Sequence, residues 1–120
     1  MSDKSTYREL GPRRCLTQGE RLLLERLVEL ARYHVSKREL DCLEVQGMAD
    51  GGMGSLYLVH AECDPASRRF GRRIAELQLD DVDGVPVIAS LNVDSEGHLY
   101  ELDIWKSDFS QVKVVNRQAE

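Results

Sequence analysis

Val85-Pro-Val-Ile-Ala-Ser-Leu-Asn-Val-Asp94, then Ser95-Glu-Gly97, then His98-Leu-Tyr-Glu-Leu-Asp-Ile-Trp-Lys106 is the stretch that decides the fold. Apolar and polar side chains alternate on either side of a short glycine-containing turn, which is the pattern of a β-hairpin. Successive strand residues point to opposite faces, so Tyr100, Leu102 and Ile104 are expected on one face and Glu101, Asp103 and Trp105 on the other. In the first run Val85, Val87, Ala89, Leu91 and Val93 share a face, and Pro86 marks a strand end or an edge.

Working outward, Asp83-Gly84 is a second hairpin signal. It is preceded by a strand from Arg73 to Asp80 that sets Ala75, Leu77 and Leu79 against Ile74, Glu76 and Gln78. Residues 61–72 read as a loop broken at Asp64-Pro65 and Gly71. Before it, Val45 to Ala49 and Leu56 to Val59 are short strands around Asp50-Gly-Gly-Met-Gly54, a glycine turn. That run lacks the Lys-Ser/Thr of a phosphate loop and leads into a strand, so it offers phosphate no helix N-terminus.

The period changes upstream. Thr17-Gln-Gly-Glu20 has the form of a capping box, and a helix is expected from about Gln18 to His34 with a stripe of Leu23, Leu24, Leu27, Val28, Leu30 and Ala31. Arg21 with Glu25 and Glu29 with Arg32 stand at helical pairing distance. Ser36-Lys-Arg-Glu39 repeats the box, predicting a short second helix from Lys37 to about Leu43. The expected fold is α+β: one long and one short N-terminal helix packed on an antiparallel meander sheet of about five strands. Residues 1–120 form a single domain, with 1–16 an N-terminal arm and 110–120 a tail. Phe109, Val112, Val114 and Val115 there lie back on the core or add a short strand.

A chain with 42% hydrophobic and 31% charged residues has an ordinary globular composition. No apolar run is long enough for a transmembrane helix, and the first residues do not read as a signal peptide, so the expectation is a cytoplasmic protein without membrane attachment. Three cysteines, Cys15, Cys42 and Cys63, are an odd set without C-x-x-C spacing, which fits reduced thiols; Cys42 is expected to be a small buried hydrophobe. From Ile74 to Trp105 there are eight acidic residues and no Lys or Arg, so a chain of net charge −5 is basic by three elsewhere. That surface disfavours nucleic acid and favours a basic partner.

Glu76, Asp80, Glu101 and Asp103, with Trp105 beside them, are therefore the candidate partner-binding residues: clustered carboxylates steer a basic protein and tryptophan anchors interfaces. The plain alternative is a solvated sheet face whose charges oppose aggregation. Catalysis by paired carboxylates needs a cleft that the pattern does not imply. His60, Cys63, Cys42 and His98 are metal-capable but match no paired ligand spacing, and no metal or other cofactor is expected. Arg68, Arg69, Arg72 and Arg73 around Phe70 fall short of a nucleic-acid footprint and read as counterions to the chain's own acids.

Two motifs carry a resemblance. Arg14-Cys-Leu-Thr-x-x-Glu-x-x-Leu-Leu, and Val85-Pro-Val followed by Gly97-x-Leu-x-Glu-Leu-Asp-Ile-Trp-Lys-x-Asp108, resemble the opening and closing segments of a small bacterial family of uncharacterised domains. The resemblance implies a helix-plus-sheet fold and no assigned activity. Together these readings lead to the expectation of a non-enzymatic protein-binding module, in its concrete version a toxin-neutralising immunity protein. The alternatives are a small enzyme using the same carboxylates or Cys63 with His60, and a homo-oligomer joined by the last strand or the Phe109–Val115 tail.

Overall fold

The computed structural model describes residues 10–49, 52–61 and 64–112. The arm before residue 10, and Gly51, Cys63, Val114 and Val115, lie outside the described residues. The elements are β1 (Arg14–Cys15), α1 (Gln18–Ala31), α2 (Lys37–Cys42), β2 (Glu44–Gly47), β3 (Leu56–Val59), β4 (Phe70–Asp80), β5 (Pro86–Asp94) and β6 (Leu99–Lys106), with a 3-10 turn at Pro65–Ser67.

The capping box starts α1 as its residues require. Glu20 N–H donates to Thr17 Oγ1 at 3.1 Å, and the Glu20 carboxylate accepts from Thr17 N–H at 2.9 Å. Arg14 grips the same carboxylate through both terminal nitrogens, at 2.8 and 2.9 Å, tying β1 to the helix start. Burial pushes the Glu20 carboxyl up, but Arg14 and the Thr17 N–H outweigh it and hold it below the usual range. The helix stops three residues short of His34, because Arg32 turns left-handed (φ 53°) and donates its N–H to Glu29 O. Arg32 is thus the cap rather than a further turn. Leu23, Leu24, Leu27 and Val28 are buried as the stripe demands, while Leu30, in the last turn, is exposed. On α2 only Leu40 is buried. Cys42, two residues on and so rotated to the far side of the helix, is exposed rather than buried.

Among the described residues the sheet has six strands, all antiparallel, in the order β1-β2-β3-β6-β5-β4. The meander comes in two halves, β1-β2-β3 and β4-β5-β6, which meet where β3 lies beside β6. Strands β3 to β6 therefore form a Greek key, and the segment after Val59 crosses from the middle of the sheet to its far edge. Part of the expected N-terminal arm is sheet, since Arg14 and Cys15 pair with Val45 and Glu44 and Leu10 bridges to Met48. Strand β4 begins at Phe70, inside the expected loop, and shifts register between Phe70 and Arg72 and again between Arg73 and Ala75. Of the tail, Val112 packs on the core and donates its N–H to Gly52 O.

One face of the sheet receives the helices. Val45, Leu58, Leu56, Leu102, Leu91, Ala89 and Val87 lie there with Leu23, Leu24 and Leu27 in one apolar cluster. Leu102 and Ile104 sit on this face as the alternation predicts, but Tyr100 does not. The ladder slips opposite Val93, so Leu99 takes the inward position and Tyr100 is the extra residue, its ring edge-on to Tyr57 at 6.0 Å.

Each end of the sheet is closed by a buried cation. At one end Arg68, from the crossing segment, donates to Asp94 Oδ2 (2.9 Å), Leu58 O (2.7 Å), Leu99 O (2.6 Å) and Tyr57 OH (3.1 Å). Its guanidinium also lies over the rings of Tyr57 and Tyr100. Asp94 in turn accepts from the N–H groups of Glu96 and His98, holding the β5–β6 turn. At the other end Lys106, with no exposed surface, reaches Asp81 Oδ2 at 2.9 Å and Asp83 Oδ2 at 2.6 Å, and donates to Gln111 O. Burial works against the Lys106 charge, but the two carboxylates outweigh it and raise its pKa.

Candidate functional site

The face of the sheet turned away from the helices is where the acidic residues collect, and the strand register shows how. Glu76 on β4 pairs with Ser90 on β5, and Ser90 pairs with Asp103 on β6. One step along, Asn92 pairs with Glu101, and Glu101 with Tyr57 of β3. One step the other way, Ile88 pairs with Trp105. A groove of about 380 Å³ runs over this surface. Glu76, Asp103 and Trp105 line it, Ile88 and Ser90 lie between them, and Met53 and Ser55 close it on the β3 side.

Three of the five candidate residues therefore share one groove. Glu101 adjoins it through Asn92. Asp80 does not line it: it sits at the end of β4 opposite Pro86, exposed on the same face. The face is not free of cations either. Arg73 lines the groove and binds Glu76 Oε1 at 2.8 Å, while Arg68 is consumed by Asp94, so two members of the arginine cluster are counterions to the chain's own acids. Arg72 lies over the Tyr33 ring.

The floor of the face is more buried than a solvated sheet surface would be. Ser90 is 6% exposed and Asn92 4%. Asn92 Nδ2 donates to Asp103 Oδ2 at 3.0 Å and, at a long 3.5 Å, to Glu101 Oε1. This fixes the amide's orientation, since the flipped form would turn an oxygen toward two carboxylates. Asn92 Oδ1 and Asp103 Oδ1 are left buried without a hydrogen-bond partner. Both are acceptors, and an unsatisfied buried acceptor is costly. Neither was legible in the sequence, because strand alternation places a residue on a face but does not say which of its atoms will find partners.

Trp105 lines the groove and forms an exposed aromatic pair with Phe109. Trp105, 43% exposed, meets Phe109 edge to face at 5.6 Å. Phe109 holds a left-handed backbone (φ 62°), an expensive state for an aromatic residue, and donates its N–H to Lys106 O. On the β3 side the Ser55 hydroxyl acts as a piece of strand, accepting from Ile104 N–H (2.8 Å) and donating to Ile104 O (3.2 Å).

The other chemistry-bearing types gather less. His60 and His98 stack with ring centroids 4.1 Å apart, and His98 Nδ1 lies 3.8 Å from Asp94 Oδ2. Among the described residues no three His, Cys, Asp or Glu side chains form a group suited to a metal ion. Gly52 and Gly54, at φ 86° and 97°, make the turn into β3. No described helix is long and apolar enough to cross a membrane.

Residues 13–116 match the family described as Domain of unknown function (DUF6984), and the chain belongs to that family. No curated protein and no solved structure matches it.

Proposed function

We propose that this member of the DUF6984 family is a non-enzymatic binding module that captures a basic partner protein on the outer face of its sheet. Its concrete form is a toxin-neutralising, immunity-type protein of a bacterial cytoplasm. One observation carries the reading: three adjacent strands bring Glu76, Asp103 and Trp105 into a single groove, where Asp103 keeps a buried acceptor without a donor and Asn92 behind it keeps a second. Arg73 serves Glu76 alone, so Asp103 calls for a further donor and positive charge, and a basic protein supplies both. The half-exposed Trp105, braced by Phe109, has the character of the aromatic anchors that dominate interface energies.

The test is capture of the protein encoded by the neighbouring gene in the host, with that protein co-expressed and the chain immobilised. Wild-type chain is expected to retain it, with retention falling as salt rises. Combined Glu101→Lys and Asp103→Lys substitution is expected to abolish retention while circular dichroism and the melting temperature show the fold intact. Equal retention by the variant overturns the reading.

A further inference from the structure

We infer that the groove is a receptor for a single guanidinium group, an arginine side chain of the partner, with its N–H donors on the Asp103 carboxylate and its plane against Trp105. The inference rests on the proposed capture of a basic protein and names the chemical group that the face selects.

Asp103 lines the groove and carries a buried oxygen without a partner, and Asn92, 4% exposed, stands behind it with a second. Both atoms are acceptors, so the group the face takes is a donor and not an anion or an acceptor-rich sugar. Between the two common cationic side chains, a planar guanidinium presents several donors in a fixed fork and stacks on aromatic faces, whereas an ammonium is a strongly hydrated point charge. A carboxylate next to an exposed indole suits the first.

The chain already uses this chemistry. Arg68 lies over two tyrosine rings while binding Asp94 and two carbonyls, and Arg73, without a ring, binds Glu76 within the groove itself. Asp103 is the neighbouring carboxylate that no arginine of the described chain reaches. A volume of about 380 Å³ is near the lower end for ligand sites, which suits one side chain rather than a larger molecule. The strained backbone at Phe109 holds the second ring against Trp105, and strain of that kind concentrates at binding sites.

Trp105 is the only tryptophan in the chain, so its fluorescence reports on the groove directly. The probe is N-acetyl-arginine amide, titrated against N-acetyl-citrulline amide, which has nearly the same shape without the charge. Arginine amide is expected to give a saturable change with Kd of about 1 mM, the range of a single-group ligand. Citrulline amide is expected to bind at least about tenfold more weakly, since it loses the charge-assisted bonds. Asp103→Asn, which keeps the side-chain shape, should weaken arginine amide about tenfold, and Glu29→Gln on the far helix should change nothing. Equal binding of the two amides, no saturable change, or an unaltered Kd in Asp103→Asn overturns the assignment. If arginine amide fails while Glu101→Lys with Asp103→Lys still abolishes partner capture, the guanidinium assignment falls and the binding face stands. If arginine amide binds and capture is unaffected, the receptor stands and the partner reading falls.

Discussion

Arg68 is the side chain on which the Greek key closes, and replacing it with Met measures how much the closure contributes. Met keeps most of the length and apolar bulk but removes every donor. The Asp94 carboxylate then stays where it is, 2% exposed, without its cation. Leu58 O, Leu99 O and the Tyr57 hydroxyl each lose a charged donor as well. Deleting one partner of a buried ion pair costs about 3–5 kcal/mol. A domain of this size is stable by roughly 5–15 kcal/mol, so the loss removes about a fifth of the whole or more. At about 3–5 °C per kcal/mol for a chain of intermediate length, the melting temperature should fall by roughly 10–25 °C. Urea unfolding followed by far-ultraviolet circular dichroism and by Trp105 fluorescence reads the change. Asp94→Asn still offers an oxygen to the Glu96 and His98 N–H groups, so the double variant closes a cycle. Its coupling should be at least about 1 kcal/mol, because one interaction is being removed twice. Arg73→Met is the internal control: its partner Glu76 and its own side chain are about half exposed, and its cost should stay within about 0.5 kcal/mol. An Arg68→Met cost below about 1 kcal/mol, or strictly additive effects in the cycle, would refute the reasoning.

Two further perturbations test the same framework. Burial pushes the Asp94 carboxyl up, but the His98 and Glu96 N–H groups and Arg68 outweigh it and hold it below the ordinary range; Lys106 does the same for Asp83. Carboxyls depressed in the folded state contribute stability that is complete above their unfolded value near 3.9 and is lost as pH falls through the folded value. Urea midpoints should therefore be nearly level from pH 7 to about 5 and drop below about pH 4, with a shallower drop in Asp94→Asn; a wild-type midpoint as high at pH 3 as at pH 7 would contradict this. Gly71 sits in the β4 bulge so close to Asp94 that a Cβ would fall on its carbonyl oxygen and 2.6 Å from its carbonyl carbon. Backbone cannot give way as a side chain can, so Gly71→Ala should cost about 1–3 kcal/mol in urea unfolding, and an unchanged midpoint would show that the bulge yields freely.

The hairpin of β5 and β6 was readable from its alternation because each of its strands is long and half apolar. The same alternation that set Leu102 and Ile104 on the core also reaches Lys106, but its burial against Asp81 and Asp83 emerged only from the structure. Tyr100 changed sides because a bulge spends one residue without advancing the ladder, and bulges leave little trace in composition. Strand β1 is two residues long, too short for any period. The meeting of β3 with β6 joins residues some 45 apart in the chain, and periodicity carries no information about pairing at that range. Arg68 was counted among self-compensating charges, but its depth could not be read from a segment with loop composition. At the site, strand parity alone placed Glu76, Asp103 and Trp105 together. Asp80 fell outside because parity fixes a face and not a position along it, and Arg73, which parity sets with Ala75, reaches the outer face through the register shift between the two.

The seam between the two halves of the sheet bears on how long the molecule lasts. Leu56 pairs with Leu102 and Tyr57 with Glu101, after which the Ser55 hydroxyl continues the ladder in place of backbone. Regions joined by few backbone bonds open more readily than those joined by many, so the seam is the natural place for the chain to part into β1-β2-β3 and β4-β5-β6 before it unfolds as a whole. The groove straddles that line, drawing Met53 and Ser55 from one half and Glu76, Asp103 and Trp105 from the other. A partner held there, as proposed, also rivets the halves together, adding about 2.7 kcal/mol when present at a hundred times its Kd. Occupied chain would then outlive empty chain, and proteolysis would clear whatever fraction had no partner to hold.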